Sequence, residues 1–385
     1  MGGKKESAKS TSALEIKVMM IGGRRCGKTS VLAAMQSCFK DVLRGTPFGM
    51  NTLNDPTNAS RDPMDELEAK RNEVTKYFLD KTIHRTFVPD DNPTFDEKHY
   101  TFRISLKGSS DIIKIEFVDI PGEWLADGVH REDIEKLMAE SRILLVAIDT
   151  PHLMEAEGRY NDQRNRCYRI CEMIESVGFA DAAKGAGLIL LIPLKCERYR
   201  NDGRMEEVAA RTSEAYQELS NYIMQPGKDG EKSLCQVAVT PIFTMGGAAF
   251  DRFKRDDNGE IIINGRYDTP QCALYYFPDM TKKAPEPLYC EQPLLYVLEF
   301  TLNAMQAVIK KKNLWGILTA KLAQILKNTP VNPLYAIIAD FLAEGIGQWH
   351  GAEDYLECAE DIRKRLKRSG DGYRILIGAA PGGKH

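Results

Sequence analysis

The sequence predicts an α/β fold of three layers, a mostly parallel sheet with one antiparallel strand between layers of helix, plus a helical C-terminal extension. Two observations carry this. Short apolar runs with β-branched residues, at Leu14–Ile21, Ile143–Ile148, Leu188–Leu194 and Val237–Phe243, alternate with helix-like segments, the pattern of strands buried on both faces. After the first of them, Tyr100–Leu106 and Ile112–Ile120 flank Lys107-Gly108-Ser109-Ser110-Asp111, a turn signal that should pair them antiparallel.

Taken in order, residues 1–12 read as a solvated, disordered arm. Its start, Met1-Gly2-Gly3-Lys4-Lys5-Glu6-Ser7, departs from a myristoylation signal at Glu6. Leu14–Ile21 is a strand that ends in a Gly-rich turn, and Lys28–Phe39 is a helix. A polar insertion follows over about residues 40–93, within which Met64, Leu67, Val74, Tyr77 and Phe78 keep helical spacing. Lys70, Arg71, Glu73 and Lys76 there form either a solvated helix face or an effector surface. Asp256-Asp257-Asn258-Gly259 before Ile261-Ile262-Ile263 marks a surface hairpin within about residues 251–268. Pro293–Ile309 carries Leu294, Leu298, Leu302, Met305 and Ile309 on one helix face, and Lys310–Lys312 suit its C-terminal end. Leu314–Leu326 and Leu334–Leu342 read as further helices. The expected organisation is therefore an arm (1–12), a main domain (13–312) and a helical extension (313–385). The end of that extension, Tyr373–Ile377, is either a partner surface or an added layer of core.

Composition narrows the function classes. With 385 residues, 43% apolar and 28% charged, the chain is neither largely disordered nor a membrane protein. Lys+Arg 52 against Asp+Glu 55 leaves a net charge of −3, so no nucleic-acid partner is expected and any polyanion must be recognised locally. Pro333–Gly347 is apolar but short, and it contains Asp340 and Glu344; no membrane span is expected. Nine cysteines without a C-x-x-C pair, and no apolar leader, point to a reducing cytoplasm. Cys167 and Cys171 lie one helical turn apart but lack further ligands at metal spacing.

The chemistry is concentrated in two segments. Gly22-Gly23-Arg24-Arg25-Cys26-Gly27-Lys28-Thr29 satisfies G-x-x-x-x-G-K-S/T, a loop whose amides cradle phosphates while Lys28 neutralises them and Thr29 holds magnesium. Glycines let the backbone approach the anion, and the helix that opens at Lys28 adds its N-terminal partial charge. The second segment is the apolar strand that ends in Asp119-Ile120-Pro121-Gly122. Asp119 would stand near the magnesium, the Gly122 amide would sense the terminal phosphate, and Glu123-Trp124-Leu125-Ala126 would act as a switch.

Together these parts resemble the P-loop NTPases, and among them the Ras-like, translation-factor-related (TRAFAC) GTPases, over about residues 14–250. The resemblance implies GTP or GDP as ligand, Mg2+ as cofactor, and loop contacts from Gly22 through Ser30. Where that family reads guanine with N/T-K-x-D, this chain has Leu194-Lys195-Cys196-Glu197: Lys195 fits, Glu197 is a longer carboxylate and Leu194 departs. Thr244-Met245-Gly246 corresponds to the loop that backs the base. The family's switch threonine, a second protein ligand to the metal, matches Thr94, 25 residues before Asp119, with Thr86 as the alternative. Glu123 stands where the family places its water-orienting glutamine, so it either orients water or forms a salt bridge that holds the switch. Arg24 and Arg25 replace small residues, and either supply charge to the transition state in cis or face solvent or a partner. Gly-Gly-Arg-Arg-Cys-Gly-Lys-Thr-Ser-Val-Leu at 22–32, Asp-Ile-Pro-Gly-Glu-Trp at 119–124 and Pro-Leu-Tyr-Cys-Glu-Gln-Pro-Leu at 287–294 more narrowly resemble the bacterial double-GTPase group of conflict and antiviral systems. That likeness implies protein partners, an effector or a second GTPase. Three functions remain open: a slow GTP-driven switch, an ATP-hydrolysing relative, and a nucleotide-binding scaffold without turnover.

Overall fold

Nine strands form one mixed sheet in the computed structural model, which describes residues 14–44, 48–51, 68–69, 72, 75–76, 86–87, 96–106, 111–181, 184–226, 230–265, 268–271, 273–282, 284–313 and 360–378. The strands of this sheet are β1 (Leu14–Gly22), β2 (Phe48–Asn51), β4 (Lys98–Leu106), β5 (Asp111–Asp119), β6 (Ile143–Asp149), β7 (Gly187–Leu194), β8 (Cys235–Val239), β13 (Ser369–Gly370) and β14 (Tyr373–Ile377). Their order is β13-β14-β8-β7-β6-β1-β5-β4-β2. The five central strands, β8 to β5, are mutually parallel, with Val18 of β1 level with Phe117 of β5 and Ile143 of β6. Both edges are antiparallel. β4 runs against β5, as the turn between them predicts, and β2 continues that edge.

Alternation along the strands builds two cores. Ile16, Val18 and Met20 of β1 face α1 (Lys28–Val42) and the long helix Gln292–Asn313. Met19 and Ile21 face the opposite layer, which contains Arg131–Glu140, Cys167–Ser176 and Gln217–Met224. Every residue of β6 and β7 is buried, which is why those strands read as unbroken apolar runs rather than alternating ones.

The C-terminal extension, expected to be helical, is only partly so among its described residues. Residues 360–365 are helical, but Tyr373–Ile377 is a strand that pairs antiparallel with β8, Arg374 opposite Val239. It covers what would otherwise be an open sheet edge, and the buried Tyr373 hydroxyl donates to Pro241 O at 2.8 Å. The predicted helices Leu314–Leu326 and Leu334–Leu342 lie outside the described residues. In the insertion, residues 68, 69, 72, 75 and 76 are helical; the rest of 64–79 lies outside the description, as do Lys70, Arg71, Glu73 and the arm. The Val237–Phe243 strand is shorter than expected, because Pro241 offers no N–H to the ladder, although Thr240 N and Ile242 N still donate to Leu191 O and Pro193 O.

A second sheet was not anticipated. It joins β3 (Thr86–Phe87), β12 (Ala273–Tyr276) and β9 (Ala249–Phe253) in the order β3-β12-β9. The predicted turn at Asp256–Gly259 leads from β9 to β10 (Ile263–Asn264), which pairs with β11 (Thr269–Pro270).

Candidate functional site

Parallel strands bring their C-terminal ends to one side of a sheet, where such folds place their ligands. Here β1 ends at Gly22, β5 at Asp119, β6 at Asp149 and β7 at Leu194, immediately before Lys195.

The phosphate loop leaves β1 under tight steric control. A Cβ on Gly22 would lie 2.6 Å from Ala147 O, and one on Gly23 would lie 1.9 Å from Arg164 O, so neither position accepts a side chain. Gly27 has φ +109, a conformation that L-residues avoid. Arg25 adopts φ +58 and is exposed, Cys26 is buried, and Ser30 is exposed on the first turn of α1. Buried Lys28 donates from Nζ to Gly22 O at 3.0 Å and Gly23 O at 3.4 Å, so its ammonium lies across the loop. Thr29 Oγ1 donates to Asp119 Oδ2 at 2.9 Å. The two segments singled out in the sequence, 90 residues apart, therefore meet.

The switch segment rests directly on this loop. A Cβ on Gly122 would lie 2.5 Å from Arg24 N, and Glu123 Oε1 is 2.8 Å from Arg24 Nε. Beyond it, Arg169 Nη1 donates to Leu125 O at 2.7 Å, and Trp124 stacks on His130 with ring centroids 4.3 Å apart.

The other end of the site is built from buried charge. Lys195, at φ +61, donates from Nζ to Arg25 O at 2.8 Å and to Asp149 Oδ2 at 2.6 Å. Burial lowers the His152 imidazole below its usual range, and its Nδ1 lies 2.6 Å from Asp149 Oδ1; as neutral imidazole it donates there. Burial alone would push the Asp149 carboxyl up. His152, Lys195 and Arg164, the last with its Nε 3.5 Å away, overcome this and hold it well below the usual carboxylate range. Asn165 fixes the backbone of Asp149, accepting from its N–H at 2.7 Å and donating to its carbonyl at 3.2 Å. Glu197 is buried and accepts from Met245 N and Gly246 N, each at 3.3 Å. Burial pushes its carboxyl up to about 7. Tyr275 of the second sheet is buried nearby, its phenol pushed up by burial and by the charges of Asp149 and Glu197.

Most of the residues picked from the sequence thus converge: Gly22 to Thr29, Asp119, Gly122, Glu123, Lys195 and Glu197. Thr244 precedes the two amides that reach Glu197. Thr94 lies outside the described residues, and the backbone of the alternative, Thr86, pairs with Tyr276 in the second sheet. Sequence reasoning missed Asp149, His152, Arg164 and Asn165. Asp149 carried a signal, since it ends an apolar strand just as Asp119 does; the others have no spacing that marks them.

No family model and no curated protein matches the chain. Among solved structures 115 chains match. One is the S. cerevisiae Ski7 GTPase-like domain bound to GTP, at 14% identity and TM-score 0.38; another is the same domain bound to GDP and inorganic phosphate, at 13% and 0.35. In both, the match covers 68% of this chain and 48% of the other, so the chain spans about half the length of these neighbours. At such values the likeness adds no weight, and the fold stands on its own strand order and register.

Proposed function

We propose that the chain binds GTP with magnesium, hydrolyses it slowly, and acts as a switch on partner proteins. The observation that carries this reading is Lys195. Its ammonium ties the phosphate loop, through Arg25 O, to a strand end where Glu197 is held by the Met245 and Gly246 amides. A lysine beside a carboxylate, fixed to the loop that cradles phosphate, suits a purine that presents ring N–H groups to an acceptor.

Thr29 and Asp119 fit magnesium by the chemistry of their donors, a hydroxyl and a carboxylate, since this ion takes one or two protein oxygens and completes its shell with phosphates and waters. When bound, magnesium supplies charge neutralisation at the β and γ phosphates. Lys28 adds a second positive charge, and the Gly122 amide is available to the terminal phosphate. Of the two roles open to Glu123, the Arg24 contact favours the salt bridge. A carboxylate engaged in this way does not orient water, which accounts for slow intrinsic turnover. Arg24, occupied by Glu123, is correspondingly a poor transition-state cation. The output passes to an effector or a second GTPase in the cytoplasm, in keeping with the resemblance to bacterial defence GTPases.

One observation favours ATP as a second reading. With its carboxyl pushed up to about 7, Glu197 is partly protonated at neutral pH and is then a poorer acceptor for guanine. Isothermal titration with GTP, GDP, ATP and ADP, followed by phosphate release, separates the possibilities. Tighter binding of ATP than of GTP overturns the guanine assignment, and binding without phosphate release leaves a scaffold.

A further inference from the structure

The loop that brings the Met245 and Gly246 amides to Glu197 is backed by a segment that the nucleotide reading does not use. Phe243, which leads into this loop, exchanges two backbone hydrogen bonds with Leu288, each at 3.0 Å. At the far end of the loop Gly246 has φ +61, and a Cβ there would lie 1.6 Å from Glu286 O. Residues 286–288 therefore hold both ends of it.

The next residue, Tyr289, ties this segment to the C-terminal hairpin of β13 and β14. It adopts φ +61, a conformation in which a bulky residue persists only where its surroundings impose it. Its ring meets Phe243 and Tyr373 edge-on, with centroids 5.9 and 5.6 Å away. Lys367 Nζ lies 3.9 Å from the ring centroid, and the Tyr289 hydroxyl donates to Asp371 Oδ2 at 2.7 Å. The hairpin also reaches the approach to the loop directly. Tyr373 donates its hydroxyl hydrogen to Pro241 O, and a Cβ on Gly372 would lie 3.2 Å from Pro241 Cγ. Pro241 and Phe243 belong to one stretch, whose Thr240 and Ile242 amides pair with Leu191 O and Pro193 O just ahead of Leu194 and Lys195. Two attachments thus run from residues 367–373 to the residues that lead into the loop.

We infer that the C-terminal hairpin, acting through Tyr289 and Tyr373, positions the 244–246 loop and so sets how firmly Glu197 is presented to a base. The inference rests on the reading of Glu197 as the base acceptor. Tyr289 is a positioning residue, since it acts on the base only through Leu288 and Phe243. Coupling of this kind is reciprocal: a base held at Glu197 also secures the hairpin, and lifting the hairpin lowers nucleotide affinity.

The test titrates GTP and tripolyphosphate, each with magnesium, into the full chain and into its Tyr289→Ala and Tyr373→Phe variants, with circular dichroism to check that each is folded. Tripolyphosphate engages the phosphate loop but carries no base. GTP affinity should fall by about fivefold or more in both variants, the lower end of the usual coupling between sites, while tripolyphosphate affinity stays unchanged. Amide hydrogen exchange over residues 244–247 of the unliganded chain should quicken in both. Should Tyr289→Ala fail to fold, Tyr289→Phe, which loses only the bond to Asp371, takes its place. GTP affinity at the wild-type level in both folded variants, equal losses for GTP and tripolyphosphate, or unaltered exchange overturns the proposal. A wild-type chain that binds GTP no more tightly than tripolyphosphate refutes the base reading instead, and quickened exchange in the variants then still shows that the hairpin holds the loop.

Discussion

The two ends of the candidate site are built on opposite physical plans. The phosphate end is a stretch of eight consecutive residues whose backbone is shaped by glycines and whose charges, Arg24 and Arg25, reach solvent. The other end is assembled from residues far apart in sequence, Asp149, His152, Arg164, Lys195 and Glu197, and most of its charge is buried. In the proposed function this loop receives a highly charged ligand, and its own charges stay hydrated until that ligand arrives. A buried network has no such reserve: the Asp149 carboxylate is tolerable only because Lys195 and Arg164 neutralise it.

The comparison is broken most directly at Asp149. Asp149→Ala leaves Lys195 and Arg164 without their shared carboxylate, and thermal or urea unfolding should show a loss of about 3 kcal/mol, the lower end of the range for breaking a buried pair, because Lys195 retains some exposure. Wild-type stability in this variant would mean that the network is not load-sharing.

Lys28→Ala should do the reverse. Little stability is expected to go, but nucleotide affinity should fall by about a hundredfold, since an ammonium is removed from developing contact with phosphate. Titration of GTP and ATP measures it, and equal affinity in the variant would remove Lys28 from the site.

The pH dependence sharpens the contrast further. Glu197 has its folded-state value raised to about 7 from an ordinary 4.5, so its neutral form suits the unliganded fold. Stability from this group is full below about 4.5 and is lost as pH rises through about 7. A guanine that donates N–H groups needs the ionised form, so GTP affinity should rise, by roughly tenfold, between pH 6 and 8 and then level off. ATP, lacking those donors, should show no such rise. Glu197→Gln should flatten the GTP profile.

The smallest effect is expected at the switch contact. Arg24 and Glu123 form a partly exposed ion pair, worth at most about 1 kcal/mol. Arg24→Ala should barely shift the unfolding midpoint while freeing Glu123, so turnover should change by a few-fold where stability does not. Unchanged phosphate release would separate Glu123 from the reaction altogether.

Much of this molecule was legible in its residues, for definite reasons. β6 and β7 were visible because burial on both faces forces an uninterrupted apolar run, and the phosphate loop because close backbone approach excludes a side chain at Gly22 and Gly23 while a positive φ favours glycine at Gly27. Asp119 was legible by position, as a carboxylate ending such a run. Lys195 was found only through a family resemblance. β14 was hidden, because Tyr373-Arg374-Ile375-Leu376-Ile377 follows helix-like sequence and becomes a strand only where β8 offers it an edge. The second sheet was hidden for a similar reason: β3 has two residues and β12 four, too short for a period to emerge.

What the sequence determined by itself was local: which segments are extended or helical, where a glycine-rich turn follows β1, and that a carboxylate waits at the end of β5. These follow from side-chain period and from the steric freedom of glycine, both properties of neighbours in the chain. Tertiary structure alone decided that Lys195 bridges Arg25 O and Asp149 and that Glu197 meets two amides of a distant loop. Such contacts depend on strand order and register, which pair residues according to the energy of burial across the whole sheet rather than any signal within a few positions of each.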